Sequence, residues 1–255
     1  MPIPDPTTFL LVLARIAGLV LAAPVFGHLL VPVRVRIGLA MTFAVALAPA
    51  VAPGTPDFAS SWMLARALAV ESATGVLLGL VAQLVFAGVQ LGGQLAGIQM
   101  GFGVVNLIDP QTHAQVTVVS EWQNLLALLV FLALDVHHLL VSALLESFRT
   151  VPPGAIAISA GGIEGAIRLA GDVFVLGVRI AAPIMIALLL SNATLGLLAR
   201  TVPQLNVFVV GFSLNVGVGL VMLGVSLPFT YRLLAGRFGD LAPTLGGLMQ
   251  GLAHG

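Results

Sequence analysis

Residues Ser72–Ile108 read SATGVLLGLVAQLVFAGVQLGGQLAGIQMGFGVVNLI and contain no charged side chain. A helix of ~20 apolar residues already crosses the hydrocarbon core of a bilayer, so this window is longer than one crossing requires. Backbone polar groups in lipid must be satisfied within the protein, which favours a helix over an open strand. The window therefore predicts a membrane helix whose extra length is tilted, broken or packed against protein.

The composition of the whole chain also indicates a membrane protein. Apolar residues make up 59% and charged residues 8% of the 255 residues, and the mean hydropathy is +1.11. A soluble domain carries about 25% charged residues, so we predict a single all-α membrane domain covering residues 1–255. Ten arginines balance ten acidic residues, which leaves no basic footprint for nucleic acid. The absence of cysteine excludes disulfides and thiolate metal sites.

Prolines, glycines and charged residues divide the chain into about six apolar helices. The predicted helices lie near 8–30, 36–50, 62–100, 115–149, 166–200 and 204–235. The connections between them are short, which predicts that consecutive helices form helical hairpins.

The third predicted helix carries a row of glutamines and small residues at steps of three and four, which keeps them on one helical face. The row consists of Gln83, Ala87, Gln90, Gln94, Gly97 and Gly101. Ordinary helix packing accounts for the small residues, because they let another backbone approach closely. A face toward a polar passage accounts for the glutamines, because an uncompensated amide in hydrocarbon costs several kcal/mol. Both interpretations remain open at this point.

The segment that follows this row favours a broken helix or a loop. Gly97, Gly101 and Gly103 fall within seven residues, and the bulky apolar side chains of Met100 and Phe102 stand beside them. Irregular backbone at membrane depth survives only where it is buried in protein or lines a cavity. A mobile plug in a pore needs this combination, and a simple surface turn explains it equally well.

The fourth predicted helix carries polar residues that also fit one face. They are Glu121, Asn124, Asp135, His138, Ser142 and Arg149. Asp135 with His137 and His138 suggests either a proton relay or a metal site. A metal site needs more ligands at helical spacing, and adjacent histidines on a helix point about 100° apart. We therefore predict polar packing between helices, or a hydrogen bond to a partner subunit, for Glu121, Asp135 and His138, with no metal ion, and keep a proton relay as the alternative.

The sequence contains none of the common hydrolase, phosphate-binding or metalloprotease motifs. We predict no catalytic residues, no cofactor and no enzyme activity. Two other functions use the same polar residues: a proton-coupled small-molecule transporter and an intramembrane enzyme. A transporter of this kind often shows inverted repeats, and none is visible here.

Taken in order along the chain, several motifs resemble the FliR family, the flagellar members of the type III secretion export-gate proteins. The N-terminal part has Phe9, Arg15, Pro24, Pro32 and Arg34 at family-like spacing. The central motifs are Gly97-Ile-Gln-Met-Gly-Phe-Gly103, Ile108-Asp-Pro-Gln111, Phe131-Leu-Ala-Leu-Asp-Val-His-His138, Ser147-Phe148 and Val151-Pro152. The C-terminal motif is Arg200-Thr-Val-Pro-Gln-Leu-Asn-Val-Phe208 followed by Gly211-Phe212. Val136 and His113 stand where the family commonly has glycine, which leaves the role of the paired histidines less defined.

The resemblance implies a core subunit of the flagellar export gate, through which unfolded flagellar proteins leave the cytoplasm. It implies a position in the bacterial inner membrane at the basal body, contact with membrane lipid, and FliP, FliQ and FlhB as partners. It further implies a FliP-like part, residues 1–160, and a FliQ-like hairpin, residues 166–235.

The same resemblance assigns roles to individual residues. A pore-closing plug loop near residues 101–110 would include Met100, Gly101, Phe102, Gly103, Val104 and Asp109. The helix that carries Gln83, Gln90 and Gln94 would stand beside the channel. Pro203, Gln204 and Asn206 would lie in a cytoplasmic loop that faces FlhB.

Overall fold

The computed structural model describes residues 5–27, 31–51, 58, 60–103, 117–154, 160–202 and 206–253. These residues form eight α-helices and one 3-10 turn, Ala48–Ala50, and no strand occurs among them. The helices are α1 (Pro6–Ala22), α2 (Val33–Leu47), α3 (Ser61–Gln99), α4 (Val118–Ala133), α5 (Val136–Thr150), α6 (Ala160–Thr201), α7 (Val207–Gly239) and α8 (Leu241–Ala253).

Three helical stretches are long and apolar enough to cross a membrane: Ser61–Gln99, Ile167–Thr201 and Val209–Gly251. The bent pair α4 and α5 adds a fourth candidate if the two helices count as one span. At 1.5 Å per residue the 39 residues of α3 extend about 58 Å, nearly twice the ~30 Å of a hydrocarbon core. The prediction of an all-α membrane protein is confirmed.

The predicted continuous helix at 115–149 is wrong at its centre. α4 ends at Ala133, α5 begins at Val136, and the two axes bend by 64° at the break. Asp135 has a φ of 54°, a left-handed backbone that ends an α-helix. Aspartate tolerates this conformation better than most residues, so the break occurs without the glycine or proline that would have predicted it.

The C-terminal helix α8 was also not predicted. It follows α7 after Asp240, and its sequence contains one proline and several glycines, which weakened the helical pattern. The buried side chains of Leu241, Leu245 and Met249 recur at steps of four, which gives α8 one apolar face. A groove between this face and α5 has a volume of about 320 Å³.

The chain forms two compact units, each discontinuous in sequence. The first unit comprises Met1–Leu84, Phe131–Ala170 and Phe238–Gly255, and the second comprises Val85–Val130 and Gly171–Arg237. The helices α3, α4, α6 and α7 each contribute residues to both units.

In the first unit, α1 and α3 touch through their backbones at glycines. A Cβ atom added at Gly75 would overlap the carbonyl oxygen of Arg15, and one at Gly18 would overlap that of Ser72. A Cβ atom at Gly79 would lie 2.7 Å from the Cβ of Ala22. Gly75 and Gly79 form a Gly-x-x-x-Gly pair, the spacing that brings membrane helices into close contact.

In the second unit, glycines of α3 pack against α6 and α4. A Cβ atom at Gly92 would lie 2.9 Å from the carbonyl oxygen of Gly177 in α6. A Cβ atom at Gly93 would overlap Ser120 in α4. The C-terminal half of α3 is therefore enclosed on two sides by neighbouring helices of its own unit.

Candidate functional site

The C-terminal end of α3 is a Schellman cap centred on Gly101. The Gly101 amide donates to the Ile98 carbonyl at 3.0 Å, and the Phe102 amide donates to the Gly97 carbonyl at 3.0 Å. This pair of bonds satisfies carbonyls that the helix end would otherwise leave unpaired. The φ of Gly101 is 98°, which favours glycine at this position. The three-glycine segment therefore starts as a defined helix end.

Met100, the last residue before this cap, is fully buried in the second unit. Its side chain lies against Gly219 of α7, where an added Cβ atom would come within 2.5 to 2.7 Å of three Met100 atoms. The ring of Phe212 covers Gly101, 2.9 Å from where a Cβ would stand. Gly219 and Phe212 of α7 thus pack against the C-terminal end of α3.

An apolar cluster surrounds Met100. Its buried members are Ala96, Met100, Val119, Ile184, Leu188 and Leu223, and Phe102, Val218 and Met222 pack against it. Phe102, predicted as a plug residue, is therefore half-buried on this cluster. Gly103 follows it, whereas Val104 and Asp109 lie outside the described residues.

The predicted row on α3 divides into two parts. Gln83 and Gln90 are exposed in the single chain and Gln94 is half-buried. Gly97 is buried against Thr117, whose hydroxyl donates to the Gly93 carbonyl at 3.3 Å. The glycines of the row serve helix packing, whereas the side chains of Gln83 and Gln90 are exposed in the single chain.

The polar residues predicted for one face of a fourth helix do not share a face, because the helix breaks at Asp135. Glu121 lies on α4 and is exposed, while His138 lies in the first turn of α5 and is exposed. The buried polar side chains of α4 are Ser120 and Gln123 instead, and Oε1 of Gln123 has no hydrogen-bond partner among the described residues. Ser120 and Gln123 are three residues apart, and this polar pair at helical spacing is a signal from which they could have been found.

Asp135, His137 and His138 come together at the break. The Oδ1 atom of Asp135 lies 3.4 Å from Nδ1 of His138 and 3.9 Å from Nε2 of His137. The two imidazole rings have centroids 4.1 Å apart. The expectation that these adjacent histidines point apart is wrong for their rings, which lie side by side.

The loop between α6 and α7 is described only at its ends. Pro203 and Gln204 lie outside the described residues, and Asn206 precedes α7. The Asn206 side chain accepts a hydrogen bond from the Val209 amide at 3.3 Å, the usual role of an N-cap residue. Further along the hairpin, the Asn215 amide donates to Oδ1 of Asn192 at 2.9 Å.

The sequence did not predict a buried ion pair in the first unit. The Arg15 guanidinium donates from Nε to Glu71 at 2.6 Å, and the two side chains are 0% and 1% exposed. Arg15 also donates to the Ser147 hydroxyl and the Val151 carbonyl, both at 3.1 Å, and lies 4.3 Å from the centre of the Phe148 ring. Arg15 is the one charged residue of α1, and Glu71 shares α3 only with Arg66. Charged residues in apolar helices are a recognisable signal, but the separation of these two in sequence concealed the pairing.

The second oxygen of Glu71 accepts a hydrogen bond from the Gly154 amide at 2.9 Å. Gly154 has a φ of 83° and ends the Pro152-Pro153 turn after α5. The pair therefore joins α1 and α3 to the end of α5. Three segments quoted above for the family resemblance, at Arg15, Ser147-Phe148 and Val151-Pro152, meet at this one cluster.

These features define an all-helical membrane protein with close glycine-mediated packing and a capped helix end in its second unit. The family described as Bacterial export proteins, family 1, matches residues 7–241, and the chain belongs to this family. The resemblance predicted from the motifs is confirmed.

Individual relatives agree with this assignment. The chain is 38% identical over 217 residues to the flagellar biosynthetic protein FliR of Pectobacterium carotovorum subsp. carotovorum, covering 84% of this chain and 82% of the relative. It is 33% identical to FliR of Escherichia coli (strain K12), with 85% and 82% covered. It is 35% identical to FliR of Bacillus subtilis (strain 168), with 94% of each chain covered.

Proposed function

We propose that this chain is a core subunit of the flagellar type III protein export gate and forms part of the channel for unfolded flagellar proteins. The family match over residues 7–241 carries this proposal, and the relatives named as flagellar biosynthetic proteins support it. The apolar helices fit a position in the bacterial inner membrane, at the flagellar basal body. A gate subunit of this kind needs no catalytic residue, and the energy for export comes from other parts of the machine.

In this proposal the segment after α3 closes the channel at rest. The capped end of α3 supports the assignment, because buried Met100 and left-handed Gly101 hold the start of the segment against α7. The plug residues Phe102, Gly103, Val104 and Asp109 follow this anchor directly. A plug needs one fixed end, so that its movement opens the channel without unwinding the helix that carries it.

The glutamines Gln83, Gln90 and Gln94 are proposed to face the channel or a neighbouring subunit. The exposure of Gln83 and Gln90 in the single chain supports this role, because amides in contact with lipid would lack hydrogen-bond partners. Glu121, Asp135 and His138 are exposed as well, and we propose that they pack against other subunits.

The proposed partners are FliP, FliQ and FlhB. We propose that residues 1–160 form a FliP-like part and residues 166–235 a FliQ-like hairpin. The side-chain hydrogen bond between Asn192 and Asn215 supports a hairpin, because it ties α6 to α7. The loop with Pro203, Gln204 and Asn206 is assigned to contact FlhB on the cytoplasmic side.

Co-purification tests the assignment to the gate. An affinity-tagged chain, expressed with FliP and FliQ and extracted in mild detergent, is expected to elute as one complex with both. An unrelated tagged membrane protein of similar size serves as the control for non-specific association. Elution of the chain alone, while FliP and FliQ co-purify with each other, would contradict the proposal.

A second experiment tests the plug. Serine in place of Phe102, Val104 and Val105 is expected to raise the ion conductance of the reconstituted complex, because small polar side chains no longer exclude water. Gly101 is retained so that the cap of α3 stays intact. Conductance is measured across planar bilayers.

The matched control places serines at Val33 and Val35, which are exposed on α2 and are 64% and 56% accessible. This variant should conduct like the unmodified complex. Equal conductance of the plug variant and the unmodified complex would remove the plug role and leave the gate assignment standing.

A further inference from the structure

The break between α4 and α5 is held in an unusual backbone conformation. Asp135 is the one non-glycine residue with positive φ in the described part of the chain. Left-handed backbone costs a non-glycine residue roughly 1–2 kcal/mol. Val136 next to it is 2% exposed, so packing holds the bend. The Asp135 side chain makes no capping hydrogen bond to α5 and is 72% exposed.

The bend brings three metal-ligating side chains together. One oxygen of Asp135 and one ring nitrogen each of His137 and His138 all lie within 4.8 Å of one another. The separation from Asp135 Oδ1 to His138 Nδ1 is 3.4 Å. Zinc bound at about 2.0 to 2.1 Å in tetrahedral geometry places its ligand atoms about 3.3 to 3.4 Å apart. The Asp135–His138 separation already has this length, and the separation from Asp135 Oδ1 to His137 Nε2, 3.9 Å, is about half an ångström longer.

We propose that Asp135, His137 and His138 bind a divalent transition-metal ion of the zinc type. Two imidazoles and one carboxylate are ligands that zinc accepts, whereas calcium and magnesium prefer oxygen ligands throughout. Three protein ligands leave the fourth position for water. The Nε2 atom of His137 lies 3.9 Å from Asp135 Oδ1, and its Nδ1 atom is buried without a partner among the described residues.

The ion would fix the bend, because its ligands belong to the residue at the break and to the first turn of α5. It also explains why the strained aspartate points its carboxylate back over both histidines instead of capping the helix. This inference goes beyond the gate function and does not depend on it.

Zinc binding to the full chain tests the proposal. The chain, carrying an affinity tag without histidines, is purified in detergent, stripped with chelator and titrated with Zn²⁺ by calorimetry. We expect one saturable site per chain. Replacing one ligand by D135N, H137A or H138A should weaken binding at least about tenfold, since even the loss of an outer-shell partner costs 10–100-fold. Zinc X-ray absorption should report imidazole ligands in the unmodified chain.

The matched control is S142A, an exposed polar residue one turn further along α5. It should bind zinc like the unmodified chain. The side chains of Asp135 and His138 are 72% and 75% exposed, so D135N and H138A should fold normally, which thermal unfolding without metal verifies. The absence of a saturable site in the unmodified chain would overturn the proposal, and so would unweakened binding by any of the three ligand variants.

Discussion

Replacing Arg15 by alanine is expected to destabilise the chain by about 3 to 5 kcal/mol, because it leaves a buried carboxylate without its counter-charge. Glu71 is 1% exposed and would retain only the Gly154 amide as a hydrogen-bond donor among the described residues. The Ser147 hydroxyl and the Val151 carbonyl would lose the guanidinium as well. The loss of stability is measured by thermal unfolding in detergent, which is monitored as the decrease of the monodisperse peak in size-exclusion chromatography.

The chain supplies a matched control for this experiment. Arg149 also pairs with a glutamate, Glu146, at 3.3 Å, but these side chains are 79% and 64% exposed. Exposed ion pairs contribute little, so R149A should change the stability by less than about 1 kcal/mol.

A double replacement separates lost charge pairing from lost packing. Leucine at both Arg15 and Glu71 removes both buried charges, and it should recover much of the stability that R15A loses.

Equal stability of R15A and R149A would contradict the proposed contribution of the buried pair.

Replacing Gly75 by alanine is expected to cost about 3 kcal/mol, at the upper end of typical overpacking. The new methyl group would overlap the backbone carbonyl of Arg15 and approach the Leu19 amide at 2.9 Å. Backbone cannot move aside as a flexible side chain can, so α1 and α3 must separate along the crossing. The same displacement would disturb the buried pair of Arg15 with Glu71. Thermal unfolding in detergent measures the loss.

The control for this experiment is G38A. Gly38 lies within α2, and a Cβ atom there meets no atom of the described residues within 4 Å. Alanine in a helix is about 1 kcal/mol more favourable than glycine, so this variant should be slightly more stable than the unmodified chain. A similar gain for G75A would show that the two helices do not touch as described.

Hydropathy, together with the prolines, glycines and charged residues that mark helix ends, predicted the long helices well. The predicted helix at 62–100 matches α3, Ser61–Gln99, and the one at 166–200 lies within α6, Ala160–Thr201. Such helices leave a strong signal, because every backbone group in lipid must be satisfied inside the helix. The break at Asp135 left no such signal in the sequence, because the packing around this residue determines its backbone conformation.

The residues of the candidate site were predicted where their structure depends on nearby sequence, and they were missed where it depends on contacts between distant segments. Local chemistry at the end of α3 is readable, since Gly101 with Phe102 forms a cap that depends on residues nearby in sequence. The contact between Met100 and Gly219 depends on how α3 meets α7, which periodicity does not determine. Arg15 and Glu71 are 56 residues apart, so only the folded chain brings their charges together.

The Gly154–Glu71 hydrogen bond has a consequence for biosynthesis. Its donor follows its acceptor by 83 residues, which is about 4 to 17 s of translation at roughly 5–20 residues per second. During that interval Arg15 and Glu71 have been made, but the segment that completes the environment of their buried charges has not. The N-terminal helices therefore remain incompletely packed until residue 154 has been made. Ribosome pausing before this residue would lengthen the time during which quality-control proteases can attack them.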